Sequence, residues 1–256
     1  MKTTLFRRLL LTLALTALLP VRGRAGAFED LYSGGRDAVL PAPSSAQAAD
    51  SRAAASGHYL DVNSLDLRAV PSAPADGSPA DKEDFRILYD WQARRTAAQC
   101  AAAGGEMEHN YEVFFGKLSP FGQPTPPEVK AFLNNVSKDS VAAHTLLKQA
   151  YQRQRPFVRD PGIKPCIMRV QGLSYPSGHS AMARLFALIL SDLVPARRAE
   201  FLARADEAAL NRVLAGVHHP TDTSAGKVLA DVLYKNLFDQ PRFVTEMKAL
   251  RPLLRQ

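Results

Sequence analysis

The sequence predicts an all-α protein, a helical bundle, from three observations. From Asp81 onward, apolar residues recur at helical spacing. No segment alternates apolar and polar residues over a length that could build a sheet. The stretch from about Ser180 to Leu193 is apolar on nearly every side, which is typical of a helix buried at the centre of a bundle. The 256 residues suffice for one well-buried domain.

The first 27 residues have the layout of a cleavable secretory signal peptide. Basic residues at positions 2, 7 and 8 precede an apolar run over residues 9–19, and small residues at 25–27 suit cleavage. A membrane anchor is the alternative, but the run is shorter than the roughly 17 to 25 residues that a spanning helix needs. We therefore expect a periplasmic or secreted protein that is not stably inserted in a membrane.

The charge of the chain lies largely in this predicted leader. The leader holds one Lys and four Arg and no acid, so its removal lowers the formal charge from +7 to about +2. No basic run interleaved with aromatic residues follows, and nucleic acid is therefore not an expected partner. Residues 28–80, rich in Pro, Ser, Ala and Gly, predict an irregular N-terminal arm, and residues 81–256 predict the helical domain.

The helical domain divides into segments with recognisable ends. Residues 82–103 form the first predicted helix, and Gly104-Gly105 stops it. The other predicted helices cover residues 126–135, 139–153, 178–193, 196–215, 222–238 and 241–250.

The only two cysteines, Cys100 and Cys166, favour a single disulfide if the chain is exported. Two separately buried thiols are the alternative.

Three short blocks combine residue types that suit phosphate chemistry. In the first, Lys148 is followed after six residues by Arg155-Pro156. A continuous helix would place the two cations about two turns apart on one side, where both could face one anion. A solvated helix face is the alternative for this block taken alone.

The second block is Pro176-Ser177-Gly178-His179, at the start of the predicted buried helix. A helix N-terminus offers unpaired N–H groups and a positive dipole end, which favour a bound phosphate. Gly178 would let the backbone approach closely, and Ser177 would add a hydroxyl donor. The alternative is an N-cap turn with an incidental histidine.

The third block places Arg212, His218 and Asp222 around the break between two predicted helices. A carboxylate four residues after an imidazole can accept its Nδ1 hydrogen bond and leave Nε2 free as a nucleophile. The remaining histidines carry weaker signals. We expect structural roles for His58, His109 and His144, and a structural or rim role for His219.

In this order, Lys-x6-Arg-Pro, Pro-Ser-Gly-His and Arg-x5-His-x3-Asp resemble the signature of the bacterial class A non-specific acid phosphatases. These belong to the type-two phosphatidic acid phosphatase superfamily, which also includes vanadium haloperoxidases and lipid phosphatases. The resemblance covers about residues 60 to 250. It departs at Asn211, where the family usually has Ser before the third-block Arg.

The resemblance implies hydrolysis of small phosphomonoesters without a metal or another cofactor, in a homo-oligomer. It implies that the phosphate oxygens are held by Lys148, Arg155, Ser177, Gly178 and Arg212. His218, oriented by Asp222, would attack phosphorus, and His179 would protonate the leaving alcohol. Since free histidine has a pKa of about 6.5, mildly acidic pH would protonate His179 and leave Asp222 ionised, which predicts an acidic optimum.

Three other functions are weighed against this one. A lipid phosphate phosphatase would be expected to show multi-span hydropathy, which the chain lacks. A vanadium-dependent haloperoxidase would use the same oxyanion pocket, but the chain is short for that group. A non-catalytic phosphate-binding protein would be expected to lack the nucleophile or the acid, whereas His218, Asp222 and His179 are all present.

Overall fold

The computed structural model describes residues 57–255, which form nine α-helices; the longest connection between helices covers residues 160–177. The helices are α1 (Pro79–Arg94), α2 (Ala97–Gly104), α3 (Tyr111–Phe115), α4 (Pro127–Tyr151), α5 (Pro156–Arg159), α6 (Gly178–Leu193), α7 (Arg198–Leu214), α8 (Pro220–Phe238) and α9 (Pro241–Ala249). Within these residues there is no strand; Phe121 and Leu254 form an isolated bridge. The predicted all-α fold is confirmed.

Helix α6 forms the centre of the bundle and packs mainly against α7 and α8. Thirteen of its sixteen residues are buried, and Ser177 caps its first turn. Because nearly every face is apolar, neighbours can pack all around it. The predicted range 178–193 is confirmed.

Two predicted helix boundaries in the first half are wrong. The predicted helix 82–103 is two helices, because Thr96 starts a new one: its hydroxyl accepts from the Gln99 N–H at 3.2 Å, and the Gln99 side chain accepts from the Thr96 N–H at 2.8 Å. This reciprocal capping box stabilises a helix start. Conversely, the predicted helices 126–135 and 139–153 are the single helix α4. Within this helix the Ser137 hydroxyl donates to the Leu133 carbonyl at 2.9 Å, so its hydrogen bond is made along the helix and not to a cap.

The later predicted helices differ from the structure by one or two residues at their ends. A 3-10 turn, Pro195–Arg197, precedes α7, and Pro220 begins α8 earlier than expected. The short helices α3 and α5 were not predicted, because four or five residues show no helical period.

The predicted signal peptide and the first part of the arm, residues 28–56, lie outside the described residues. The described remainder of the arm is irregular apart from one 3-10 turn, Val62–Ser64, and its last two residues, which begin α1. Leu60, Val62, Leu67 and Val70 are buried in the main core. The carboxylate of Asp139 on α4 also accepts from the backbone N–H of Leu60 at 3.0 Å. This segment therefore belongs to the packed structure.

A disulfide joins Cys100 on α2 to Cys166, with the two Cα atoms 5.7 Å apart. The expected pairing is confirmed. The backbone N–H of Cys166 also donates to the Ala215 carbonyl at 3.1 Å. The disulfide therefore fixes the connection between α5 and α6 to α2, and the hydrogen bond fixes it to the end of α7. None of the helices in residues 57–255 is both long and apolar enough to span a bilayer.

Candidate active site

The three sequence blocks meet at the N-terminal end of α6. The Lys148 ammonium donates to the carbonyl oxygens of Leu173 and Pro176 at 2.7 and 2.8 Å. The Ser177 N–H donates to the carbonyl of Asp222 at 2.9 Å. The turn before α6 is thus bonded on one side to the first block and on the other to the third.

Lys148 and Arg155 come together in a different way from that predicted. Helix α4 ends at Tyr151, Gln152 is left-handed with φ 51°, and Arg155 has an extended backbone just before α5. The expectation that one helix carries both cations is therefore wrong. The chain reversal still places them close enough to interact: burial, reinforced by the charge of Arg155, lowers the pKa of Lys148 to about 7.

Arg155 lies directly against the ring of His218. Its Nη1 atom is 2.7 Å from His218 Nε2 and also donates to the Val217 carbonyl at 2.9 Å. A guanidinium can only donate, so Nε2 must accept and the ring proton must be on Nδ1. The expectation that Nε2 is without a partner is wrong, but the tautomer is the one a nucleophile at Nε2 requires.

The other side of the His218 ring faces Asp222. His218 Nδ1 lies 3.4 Å from Asp222 Oδ2, and both side chains are buried. Burial alone would raise the pKa of Asp222, but contacts with His219, His218 and Arg153 outweigh it and hold the pKa well below its usual value. Burial and the charge of Arg155 lower the pKa of His218. The pair is therefore a neutral imidazole beside a carboxylate.

The backbone that connects Arg212 to His218 depends on Gly216. This residue follows α7 with φ 77°, a conformation that costs energy for residues with a side chain. The N–H groups of Val217 and His218 both turn back to the Arg212 carbonyl, at 3.1 and 3.3 Å. The turn at Gly216 therefore connects Arg212 to His218 and holds the two backbones together.

Arg153 is a buried residue that sequence reasoning missed. Its Nη1 donates to Asp222 Oδ1 at 2.8 Å, and its Nη2 donates to Asp81 and Asp84 on α1, each at 2.9 Å. The only sequence signal is the spacing of the two α1 carboxylates, which places them on one helix face. Arg153 thereby fixes Asp222 and fastens α1 to the site.

His219 has a structural environment, as expected. Its ring is fully buried; Nδ1 lies 3.0 Å from Asp222 Oδ2, and Nε2 lies 3.2 Å from the Arg159 guanidinium. Its backbone N–H also donates to Asp222 at 2.8 Å. Complete burial excludes the alternative of a rim position.

The second block supplies a cap, a tight contact and a buried histidine. The Ser177 hydroxyl accepts from the Ser180 N–H at 3.3 Å. Gly178 was expected to let the backbone approach a phosphate, but its close neighbour is the ring of His144. A Cβ at Gly178 would lie 2.8 Å from His144 Cε1. The structure therefore requires glycine here for packing.

His179 is neutral in this site. Its Nε2 donates to the Glu106 carbonyl at 2.9 Å. Burial first, and then the charge of Arg212, lower its pKa to about 3. The expectation that mildly acidic pH alone protonates His179 is therefore wrong for the site without substrate.

Arg212 is the most deeply buried of the three predicted phosphate-binding cations. Its side chain is 1 % exposed, and its Nη2 donates to the Ala103 carbonyl at 2.5 Å. Its Nε and Nη1 have no hydrogen-bond partner among residues 57–255. Since buried donors are nearly always paired, these two fit an anionic ligand. No group of three or more His, Cys, Asp or Glu side chains in the same range is arranged to hold a metal ion.

Fold and site together define a class: an all-α protein in which a buried histidine lies between an arginine and a carboxylate, with Lys148 and Arg212 close to that arginine. Residues 132–242 match the model of the PAP2 superfamily. The chain is 30 % identical over 196 residues to a non-specific acid phosphatase of Providencia stuartii, covering 71 % of this chain and 77 % of that one. It is 28 % identical over 195 residues, with the same coverage, to a non-specific acid phosphatase of Salmonella typhimurium. An acid phosphatase of Zymomonas mobilis is 33 % identical over 109 residues, 41 % of each chain.

The chain belongs to the PAP2 superfamily and, within it, to the family of the non-specific acid phosphatases. The family resemblance of the three sequence blocks is confirmed.

Proposed function

We propose that this protein is an acid phosphatase that hydrolyses small phosphomonoesters through a phosphohistidine on Nε2 of His218, without a metal ion. The observation that carries the proposal is the position of the His218 ring between Arg155, 2.7 Å from Nε2, and Asp222, 3.4 Å from Nδ1. This arrangement places the lone pair on the atom beside a phosphate-binding cation. The names of the curated relatives support the same activity.

In the proposed complex, the cations Lys148, Arg155 and Arg212 bind the phosphate oxygens. Arg212 contributes the unpaired Nε and Nη1, and Lys148 contributes the donor that remains after its two carbonyl contacts. Ser177 contributes its hydroxyl proton, since its oxygen already accepts from Ser180. Fixed charges of this kind stabilise the equatorial oxygens as they gain negative charge in the transition state.

In the first step, Arg155 transfers its Nη1 hydrogen bond from His218 Nε2 to a phosphate oxygen. The freed Nε2 lone pair then forms a bond to phosphorus while the bond from phosphorus to the ester oxygen breaks. Asp222 stabilises the positive charge that develops on the ring. The leaving alkoxide takes a proton from His179. In the second step, water attacks the phosphohistidine, His179 accepts a proton from that water, and the N–P bond breaks to release phosphate.

The proton on His179 must arrive with the substrate, because His179 has a pKa of about 3 in the unliganded site. A phosphomonoester has a second pKa of about 6. Below that pH, the monoanion carries a proton into the pocket, and the negative charge of the phosphate raises the pKa of His179. We therefore still expect an acidic optimum, but its cause is protonation of the substrate complex.

We further propose a periplasmic or secreted location and a homo-oligomer. The basic, apolar and small-residue order of the first 27 residues supports export. The oligomer rests on the family resemblance alone. Mass determination of the mature protein from a periplasmic fraction tests both.

The test of the activity is hydrolysis of p-nitrophenyl phosphate from about pH 4 to 8, around the pKa of histidine, in excess EDTA. The proposal expects turnover that is fastest at acidic pH and absent in His218→Ala. Loss of activity in EDTA that a divalent ion restores would overturn the metal-free mechanism. Equal turnover by His218→Ala would show that the nucleophile is another group.

A further inference from the structure

Glu106 contacts two predicted site residues, one through its backbone carbonyl and the other through its carboxylate. Its carbonyl oxygen accepts from His179 Nε2 at 2.9 Å. Its Oε2 atom lies 3.4 Å from Nη2 of Arg212. Glu106 follows the end of α2, whereas Arg212 and His179 lie on α7 and α6, so one residue connects three elements.

Both carboxylate oxygens of Glu106 have partners that fix their direction. Oε1 pairs with Arg204, and Oε2 accepts from Asn211 Nδ2 at 3.1 Å. The side chain of Glu106 is only 8 % exposed. Asn211 therefore holds the same oxygen that faces Arg212. This is also the position at which the sequence departs from the Ser usual in the family.

Charge explains why an acid is present beside an anion-binding pocket. Arg204 and Arg212 are both mostly buried, and Glu106 lies between them. A buried cation needs a nearby opposite charge or an acceptor. Glu106 provides one carboxylate for the two guanidinium groups and leaves Nε and Nη1 of Arg212 unpaired.

We propose that Glu106, oriented by Asn211, is a positioning residue that fixes the acid His179 relative to the phosphate-binding Arg212. The inference rests on the proposed acid phosphatase function. Its distinctive consequence concerns catalysis more than binding. Glu106→Gln removes a negative charge from the pocket, so phosphate should bind at least as tightly. The reacting groups lose their alignment, so turnover should slow.

The experiment compares wild type, Glu106→Gln, Asn211→Asp and Asn211→Ser with p-nitrophenyl phosphate. It measures kcat, KM and competitive inhibition by inorganic phosphate across the acidic pH range, with a thermal melt of each variant. Glu207→Gln is the matched control, because Glu207 lies 3.5 Å from Arg204 but is 60 % exposed and does not contact Arg212. His218→Ala reports whether the proposed function itself holds.

We expect Glu106→Gln to lower kcat about tenfold or more, the equivalent of one charge-assisted hydrogen bond, without weakening phosphate inhibition. Asn211→Asp loses the donor to Glu106 and should lower kcat to a similar extent. Asn211→Ser retains a hydroxyl donor and should keep most of the wild-type kcat. Glu207→Gln should match wild type in kcat and KM.

If Glu106→Gln fails to fold, the kcat of Asn211→Asp decides whether the inference holds. Wild-type kcat in Asn211→Asp, or in a folded Glu106→Gln, would overturn the inference while wild type is active and His218→Ala is not. An inactive wild type would instead overturn the proposed function.

Discussion

Nε2 of His218 lies 2.7 Å from the guanidinium of Arg155, while Nδ1 of the same ring faces Asp222 at 3.4 Å. The two neighbours determine which nitrogen carries the proton, since one can only donate and the other is an ionised acceptor. Arg155 also disfavours protonation of the ring, because burial and its charge lower the pKa of His218. The histidine is thus kept neutral and correctly oriented by the protein itself.

Arg153 should be essential for stability as well as for the orientation of Asp222. Arg153→Gln leaves three buried carboxylates with less compensation, and loss of one partner from a buried ion pair costs about 3 to 5 kcal/mol. Urea unfolding measures this change. Arg86→Gln is the control, because Arg86 is 66 % exposed and pairs with Glu83 at the surface, so it should change stability by less than about 1 kcal/mol. Equal effects of the two variants would contradict the role given to Arg153.

Gly178 should tolerate no side chain while His144 is present. A Cβ would lie 2.8 Å from the His144 ring, so Gly178→Ala must displace either the ring or the start of α6. We expect a loss of both stability and turnover, measured by thermal melts and phosphatase assays. In a His144→Ala background the same substitution should cost much less, and a double-mutant cycle quantifies this coupling. Additive effects of the two substitutions would show that the contact between Gly178 and the His144 ring does not constrain stability or turnover.

Stability should fall on mild acidification. His144 and His179 each have a folded-state pKa of about 3, chiefly because of burial, whereas in the unfolded chain the value is about 6.5. Between these values the unfolded state binds more protons, so stability decreases as pH drops below about 6.5. Each histidine should lower the free energy of unfolding by up to roughly 2 kcal/mol between pH 6.5 and 5.

Urea unfolding at pH 7 and pH 5, in phosphate-free buffer, measures the acid effect. His144→Asn should reduce the pH dependence, since it removes one of the titrating groups. Added phosphate should stabilise the protein more at pH 5, where it favours protonated His179. A pH dependence as steep in His144→Asn as in wild type would contradict the neutral, buried state of the His144 ring.

The sequence predicted what depends on short spacings. The range of α6 followed from its apolar composition and its Ser177 cap, and the relation of His218 to Asp222 followed from their four-residue spacing across the start of α8. Local breaks were harder to predict: the capping box at Thr96 divides one apparent helix, while polar residues around Ser137 do not interrupt another.

Long-range partners could not be predicted from the sequence. Arg153 meets Asp84 across 69 residues, and Asn211 meets Glu106 across 105. No local pattern encodes such pairs, because they depend on how the helices pack. The same holds for Arg155, whose contact with His218 arises from a chain reversal and not from the helix that its spacing from Lys148 indicated.

The most direct test of the account is to trap the phosphorylated enzyme. Wild type and His179→Ala would be mixed with radiolabelled p-nitrophenyl phosphate, quenched at alkaline pH and mapped by peptide analysis. The nitrophenolate leaves without protonation, so the variant can complete the first step but lacks the base for the second. The account predicts an alkali-stable, acid-labile label on His218 that accumulates in His179→Ala and is absent from His218→Ala. Turnover without a labelled protein, with inversion of configuration at phosphorus, would contradict it by showing direct attack of water.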